Sequence, residues 1–136
     1  MAYTTVNKHS SLVKPLTYTG NYSTNAITGI GFSPNTVWIK DTGDTSTYSV
    51  FDTLQGINKR WIPGSNLAQQ TESNYLNSFD SDGFTVGANN ATNQNGVKQA
   101  SWCWKAGTSS GLSGGDITPS AYSINTTAKF GIYKYT

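Results

Sequence analysis

Turn-forming residues break this sequence at intervals too short for a series of helices but right for strands. From Leu16 onward they fall at Gly20-Asn21, Gly29 and Gly31, Ser33-Pro34-Asn35, Asp41-Thr42-Gly43-Asp44, Pro63-Gly64 and Asp80-Ser81-Asp82-Gly83. What lies between them is β-branched or aromatic: Asn35-Thr36-Val37-Trp38-Ile39-Lys40, Tyr48-Ser49-Val50-Phe51-Asp52, Arg60-Trp61-Ile62 and Gly83-Phe84-Thr85-Val86-Gly87. Each has the length and residue types of a strand. In the first, Val37 and Ile39 share one face and Trp38 projects from the other, so both faces are apolar and the strand is expected at the centre of its sheet.

The same period of two places Trp102 and Trp104 on one side of the run from Gln99 to Ala106, with Ser101, Cys103 and Lys105 on the other. Near the C-terminus, Phe130 and Ile132 alternate with Gly131, Tyr133 and Tyr135, a strand pattern running to the last residue. A single helical turn or two is allowed at Ser65-Asn66-Leu67-Ala68-Gln69-Gln70, with Ser65 as its cap. Residues 107–115 are almost all Gly, Ser and Thr and are expected to form a flexible loop or linker. These elements predict an all-β fold: a single jelly-roll-like β-sandwich over residues 16–136, preceded by a polar N-terminal arm over residues 1–15. Spacing leaves the strand order open. Eight Tyr, four Trp and five Phe among 136 residues predict an aromatic core. On this reading the tryptophans pack the sandwich, and function is to be sought in the turns and the arm.

Charge excludes some partners. Charged residues are 12% of the chain, the net charge is +2, and apart from Lys59-Arg60 the basic residues stand singly. Such a surface does not steer a polyanion, so no nucleic-acid partner is expected. No stretch approaches the roughly 20 apolar residues of a membrane-spanning helix, and the N-terminus lacks the apolar segment of a secretory signal. No membrane insertion is expected, and Asn21-Tyr22-Ser23, Asn90-Ala91-Thr92 and Asn125-Thr126-Thr127 read as products of an Asn/Thr-rich composition, not as glycosylation sites. Cys103, the only cysteine, cannot form an intrachain disulfide. Between two tryptophans and without His or Cys companions, it reads as a buried small hydrophobe.

Four constellations carry possible chemistry. Asp41-Thr42-Gly43 follows an apolar strand as the catalytic triplet of aspartic proteases does, but the same three residues make an ordinary turn, which is the expectation here. Asp80-Ser81-Asp82-Gly83 looks like half of a calcium loop, yet no carboxylate follows until Asp116, so a tight turn is expected. His9 is the only His and Glu72 the only Glu, which leaves acid–base schemes few players. A glycosidase pair would have to come from Asp41, Asp44, Asp52, Asp80, Asp82 and Asp116, most of them in turns. The expectation is a chain with no catalytic residues, no metal and no cofactor. Exposed aromatics could stack on sugar rings, with Tyr22, Tyr48, Tyr75, Tyr122, Tyr133 and Tyr135 available; the plainer reading places them in the core or an interface.

Taken together, Tyr18-Thr19-Gly20-Asn21, the run from Gly31 to Lys40, Phe51-Asp52, the run from Ser78 to Gly87, Asn95-Gly96 and Trp102-Cys103-Trp104-Lys105-Ala106 resemble a module of marine tailed-phage structural proteins. The order and spacing of these motifs between Tyr18 and Ala106 carry the resemblance, and the opening residues 1–8 are similar to members that begin with this module. The resemblance implies a non-enzymatic virion component, such as a tail fibre or tail appendage acting in assembly and host attachment. Its implied partners are other virion proteins and further copies of the chain, trimers being typical of phage appendages, while a cell-surface glycan is the partner that the tyrosines would allow. A capsid decoration or knob, or a lectin-like receptor module, is the alternative. The chain departs from the family pattern at Asn35, where an Asp commonly follows the Pro, and at Leu54-Gln55, where an Arg commonly precedes the glycine corresponding to Gly56. If that Asp and Arg pair in relatives, the pair is absent here.

Overall fold

The computed structural model describes residues 9–43 and 48–136, so the first eight residues of the expected arm, and Asp44, lie outside the described residues. A 3-10 turn over His9–Ser11 leads into β1 (Val13–Thr19), β2 (Asn25–Ile27), β3 (Thr36–Asp41), β4 (Ser49–Asp52), β5 (Lys59–Arg60) and β6 (Gln70–Thr71). There follow β7 (Leu76–Asp80), β8 (Gly83–Val86), the single-turn helix α1 (Asn90–Asn93), β9 (Lys98–Trp104), β10 (Ala121–Asn125) and β11 (Phe130–Lys134). The fold is all-β and sandwich-like, as the turn spacing predicts.

The strand order is β1-β9-β3-β4 in the larger sheet and β2-β8-β7 in the smaller one, with every pairing antiparallel. A bridge between Val50 and Trp61 carries the larger sheet on to the β5–β6 ribbon. β10 and β11 form a separate hairpin, tied to the end of β9 by the bridge of Thr108 to Ile124 and by the amide of Gly107 donating to Ser123 Oγ at 2.9 Å. Between the two larger sheets lies the core. Val37, Ile39, Phe51 and Cys103 meet Ile27, Leu76, Phe84 and Val86, with Ile30, Phe32 and Tyr75 closing the sides. Burying each of the larger apolar side chains stabilises the fold by roughly 1.5–3 kcal/mol.

The core corrects one expectation. It is aliphatic with a few rings, Phe32, Phe51, Phe84 and Tyr75, and none of the four tryptophans is in it. The cause is parity: Val37 and Ile39 are fully buried, so their neighbour Trp38 must point out of the sandwich, and it is 38% exposed. On β9 the buried positions are Gln99, Ser101 and Cys103, which turns Trp102 and Trp104 outward with Trp38. Toward one end the inner face of this sheet turns polar. Asp41, Ser49, Gln99 and Ser101 are buried there, with the Gln99 amide donating to Asp41 at 3.2 Å and Arg60 Nε donating to Ser49 Oγ at 2.9 Å.

Other boundaries also shift. β1 begins at Val13, inside the stretch assigned to the arm, and tolerates Pro15 because it is an edge strand. Residues 65–69 form no helix. Ser65 Oγ accepts from the Leu67 amide at 3.1 Å, and Leu67 is 60% exposed, so the segment has no apolar stripe to bury. The helical turn lies instead at α1, where Asn89 caps the Ala91 amide at 2.9 Å. β11 ends at Lys134, two residues before the end of the chain, and pairs with β10, a strand that the sequence pattern did not expose. Residues 107–115 hold no strand or helix beyond the Thr108 bridge.

Two contacts hold the loops. Asn93 is fully buried; its amide nitrogen lies within bonding distance of Asn21 Oδ1, the Ser23 carbonyl and the Gly87 carbonyl, and its oxygen accepts from the Asn21 amide and Asn25 Nδ2. It fastens the β1–β2 connection to the segment before β9. Gly20 makes that approach possible, since a Cβ there would stand 2.1 Å from the Gln94 carbonyl oxygen. At the opposite side, the Asp82 carboxylate in the β7–β8 turn accepts from the amides of Gly29 and Gly31, which lowers its pKa below the ordinary 3.8. A carboxylate with a lowered folded pKa stabilises the fold above its unfolded pKa, and that contribution is lost as pH falls through the folded value. We expect the protein to lose stability on acidification below about pH 4, and Asp82→Asn to be less sensitive over that range, as measured by urea unfolding at stepped pH. Burial pushes the Cys103 thiol up to about 12. The native protein should therefore resist thiol reagents and react only after denaturation, which an absorbance assay with Ellman's reagent checks.

Candidate functional site: an aromatic face on the larger sheet

Cross-strand register builds the site. Pro15 lies opposite Trp102, Trp102 opposite Trp38, Trp38 opposite Val50, and Val50 bridges Trp61. Directly opposed residues project to the same side of a sheet, so these five form one row across β1, β9, β3, β4 and the strand of Trp61. With neighbouring strands about 4.8 Å apart, the row is roughly 19 Å long. Trp104 and Tyr48 flank it. All four tryptophans of the chain therefore stand on one outward face, Trp38 and Trp61 exposed and Trp102 and Trp104 half-buried.

The rings meet at angles that leave space above them. Trp38 and Trp104 have centroids 5.5 Å apart at 61°, Trp38 and Tyr48 6.4 Å apart at 63°, and Tyr48 and Trp102 6.4 Å apart at 50°. Trp38, Tyr48, Trp102 and Trp104 line a shallow cavity of about 250 Å³. A second hollow of about 340 Å³, lined by Pro15, Leu16, Thr17, Ala100, Ser101 and Trp102, shares Trp102 with it and continues the face over β1. Phe130 stacks on Trp104 at 6.2 Å and 19°, so the C-terminal hairpin braces one end.

Strand alternation places Lys40, Lys59 and Lys98 on this side of the sheet. Lys40 donates to the Asp41 carbonyl and Lys59 to Thr71 Oγ1 at 2.8 Å. Asp52 shares their side but is buried, its carboxylate accepting from the amides of Leu54 and Gln55 at 2.9 Å each. The face thus offers π surfaces with a rim of ammonium and hydroxyl donors. A larger depression of about 530 Å³ lies elsewhere, lined by Asn21, Tyr22, Asn90, Gln94 and Asn95. It is open and amide-lined, with one exposed ring, and offers a ligand less apolar contact than the tryptophan cleft.

Among the described residues, the acidic ones singled out by sequence are mostly engaged in separate local contacts. Asp41 is buried, with Oδ1 accepting from the Gly43 amide at 2.8 Å and Oδ2 from Gln99, which is turn chemistry joined to a core hydrogen bond. Asp80 accepts from Thr85 Oγ1 at 2.7 Å, Asp82 clamps Gly29 and Gly31, Asp52 caps its own turn, and Asp116 sits in the exposed segment after β9. Glu72 accepts from Asn89, and His9 is exposed in the first turn. Among the described residues no group of three or more His, Cys, Asp or Glu could hold a metal ion, and no helix is long and apolar enough to cross a membrane. Of the tyrosines named for sugar stacking, Tyr48 alone lies in the aromatic cleft; Tyr75 is buried against the Arg60 guanidinium, and Tyr22, Tyr133 and Tyr135 are exposed elsewhere. Tyr122 is half-buried, its hydroxyl 3.4 Å from the Leu112 amide.

The tryptophan face is what sequence reasoning missed. Its signal was present in the opposite parity of Trp38 to Val37 and Ile39, but which face lay inward depended on partners distant in the chain.

This chain belongs to the DUF7483 family. That family, a domain of unknown function, matches over residues 8–136 and so takes in both sheets, the aromatic face and the C-terminal hairpin. No curated protein and no solved structure matches the chain.

If the tryptophans are a surface and not core packing, their truncation should cost little stability. Trp38→Ala is expected to lower the unfolding free energy by about 1 kcal/mol, the scale of a cross-strand pair. Phe51→Ala, in the core, should cost about 3–5 kcal/mol. Urea denaturation of the two variants makes the comparison.

Proposed function

We propose that this chain is a non-enzymatic structural protein of a tailed-phage particle, a tail fibre or tail appendage component that serves assembly and host attachment through its aromatic face. The observation that carries the reading is the collection of all four tryptophans and Tyr48 on one solvent-facing side of the larger sheet. An exposed aromatic surface of this kind is a liability to solubility and marks an interaction site. The virion setting is supported by the resemblance between Tyr18 and Ala106 to phage structural modules. Absence of catalysis accords with the duties of the described aspartates, each of which except Asp116 has its carboxylate engaged in a turn, clamp or core hydrogen bond.

Two measurements test the reading. Mass spectrometry and immunogold electron microscopy of purified particles should find the chain on the tail; label on the head would favour a capsid decoration, and absence from particles would sink the virion reading. The purified protein, added in excess, should slow adsorption of the phage to its host, and the Trp38→Ala/Trp102→Ala double variant should compete at least about tenfold less well.

A further inference from the structure

We propose that the aromatic row binds a polysaccharide chain, with neighbouring pyranose rings stacked on Trp102 and Trp38, the next ring passing over Val50 and a further one stacked on Trp61. The proposal rests on the attachment reading above and names the ligand of that face. Three features of the surface select a sugar chain over other occupants.

The first is shape. The row runs across the strands, and the strand gap of about 4.8 Å is close to the advance of one pyranose residue in an extended glycan. Trp102 and Trp38 stand on adjacent strands and Trp61 two strands further, with Val50 between. Rings of one chain can therefore lie over successive positions, and the hollow at Pro15, Thr17 and Ala100 extends the groove beyond Trp102. An indole presents a flat π surface to the C–H groups of a sugar face, while the sugar's hydroxyls point sideways, toward the rim where Thr17 and Lys40 lie.

The second is charge. A box of aromatic rings can also hold a quaternary ammonium group, but among the described residues the charged side chains that strand alternation places on this side are Lys40, Lys59 and Lys98, with Asp52 buried and occupied by two amides. Those side chains supply no free carboxylate to draw a cation in. The face does not suit a nucleic-acid strand either, since single-strand binders track the backbone with a basic groove. Here Lys40 and Lys59 hydrogen-bond to their own surroundings.

The third is area. The row is roughly 19 Å long and, with Trp104 and Tyr48 on its two sides, about four strand residues, or 14 Å, wide. Its area falls well below the roughly 800 Å² that each partner contributes to a stable protein interface. A narrow strip of rings is matched to a narrow chain of rings.

The test uses the intact protein and its own indoles as reporters. Titration with cellohexaose, chitohexaose and the surface polysaccharide of the phage's host is followed by tryptophan fluorescence and calorimetry. We expect a saturable spectral shift with at least one of the three, and affinity that rises with chain length from disaccharide to hexasaccharide. Trp38→Ala and Trp61→Ala should each weaken binding roughly three- to tenfold, with Trp38→Phe retaining part of it. Circular dichroism of each variant separates loss of binding from loss of fold. No binding to any of the three saccharides, affinity indifferent to these substitutions, or tighter binding of tetramethylammonium or an oligothymidylate would each overturn the proposal. If sugars fail but the protein still competes with phage adsorption, the attachment reading stands and its ligand is another. If sugars bind but particles lack the chain, the ligand class stands and the virion setting falls.

Discussion

The register between β3 and β9 decides the character of both faces of this protein. Val37 lies opposite Cys103 and Trp38 opposite Trp102, so aliphatic and thiol groups share the inner face while indoles share the outer one. Because side chains alternate with a period of two, a slip of one residue would turn Val37 and Ile39 against Trp102 and Trp104. The aliphatic core would be lost, and no volume between the sheets is shaped for four indoles. The same pairing aligns β1 on one side and β4 on the other, and through the Val50 bridge it sets the position of Trp61. Core and candidate site are therefore two consequences of one hydrogen-bond ladder.

A chain so poor in charge and so rich in Asn, Ser and Thr needs another way to hold its connections, and it uses side-chain amides and carboxylates on backbone groups. Asn93 joins the β1–β2 connection to the approach of β9, Asp82 joins the β7–β8 turn to Gly29 and Gly31, and the side-chain oxygen of Asn35 accepts from the Ala106 amide at 2.9 Å. The Asn35 side chain thereby ends β9 at the point where the C-terminal segment departs. These contacts act at the edges of the sandwich. Their effect on the aromatic face is indirect, in that they keep β9 and β1 seated and so keep Pro15 and Trp102 level with Trp38.

Placing a binding surface on paired strands has a physical advantage over placing it on loops, since ring positions are then set by the backbone ladder and need little ordering on contact. The cost is exposed apolar area, which a rim of lysine and threonine offsets. On the attachment reading proposed above, such a face would suit a module that meets its ligand repeatedly and weakly, because several copies of a modest site raise avidity without further contacts.

Much of this was legible in the sequence. Turn chemistry at Asp41-Thr42-Gly43 and Asp80-Ser81-Asp82-Gly83, the strands around Val37, Phe51, Phe84 and Trp102, and the all-β class follow from local periodicity and backbone preference. β10, the short β2 and the helical turn at α1 did not, because their residues have no distinctive pattern and take their form from partners already in place. The division at the tryptophans is sharpest. Period two alone determined that Trp38 opposes Val37 and Ile39, and that Trp102 and Trp104 stand together. Only the tertiary structure decided which of those two apolar faces is buried and that Trp61 joins the row, because burial depends on the second sheet and register on strands about 60 residues apart in sequence, neither of which a local pattern can encode.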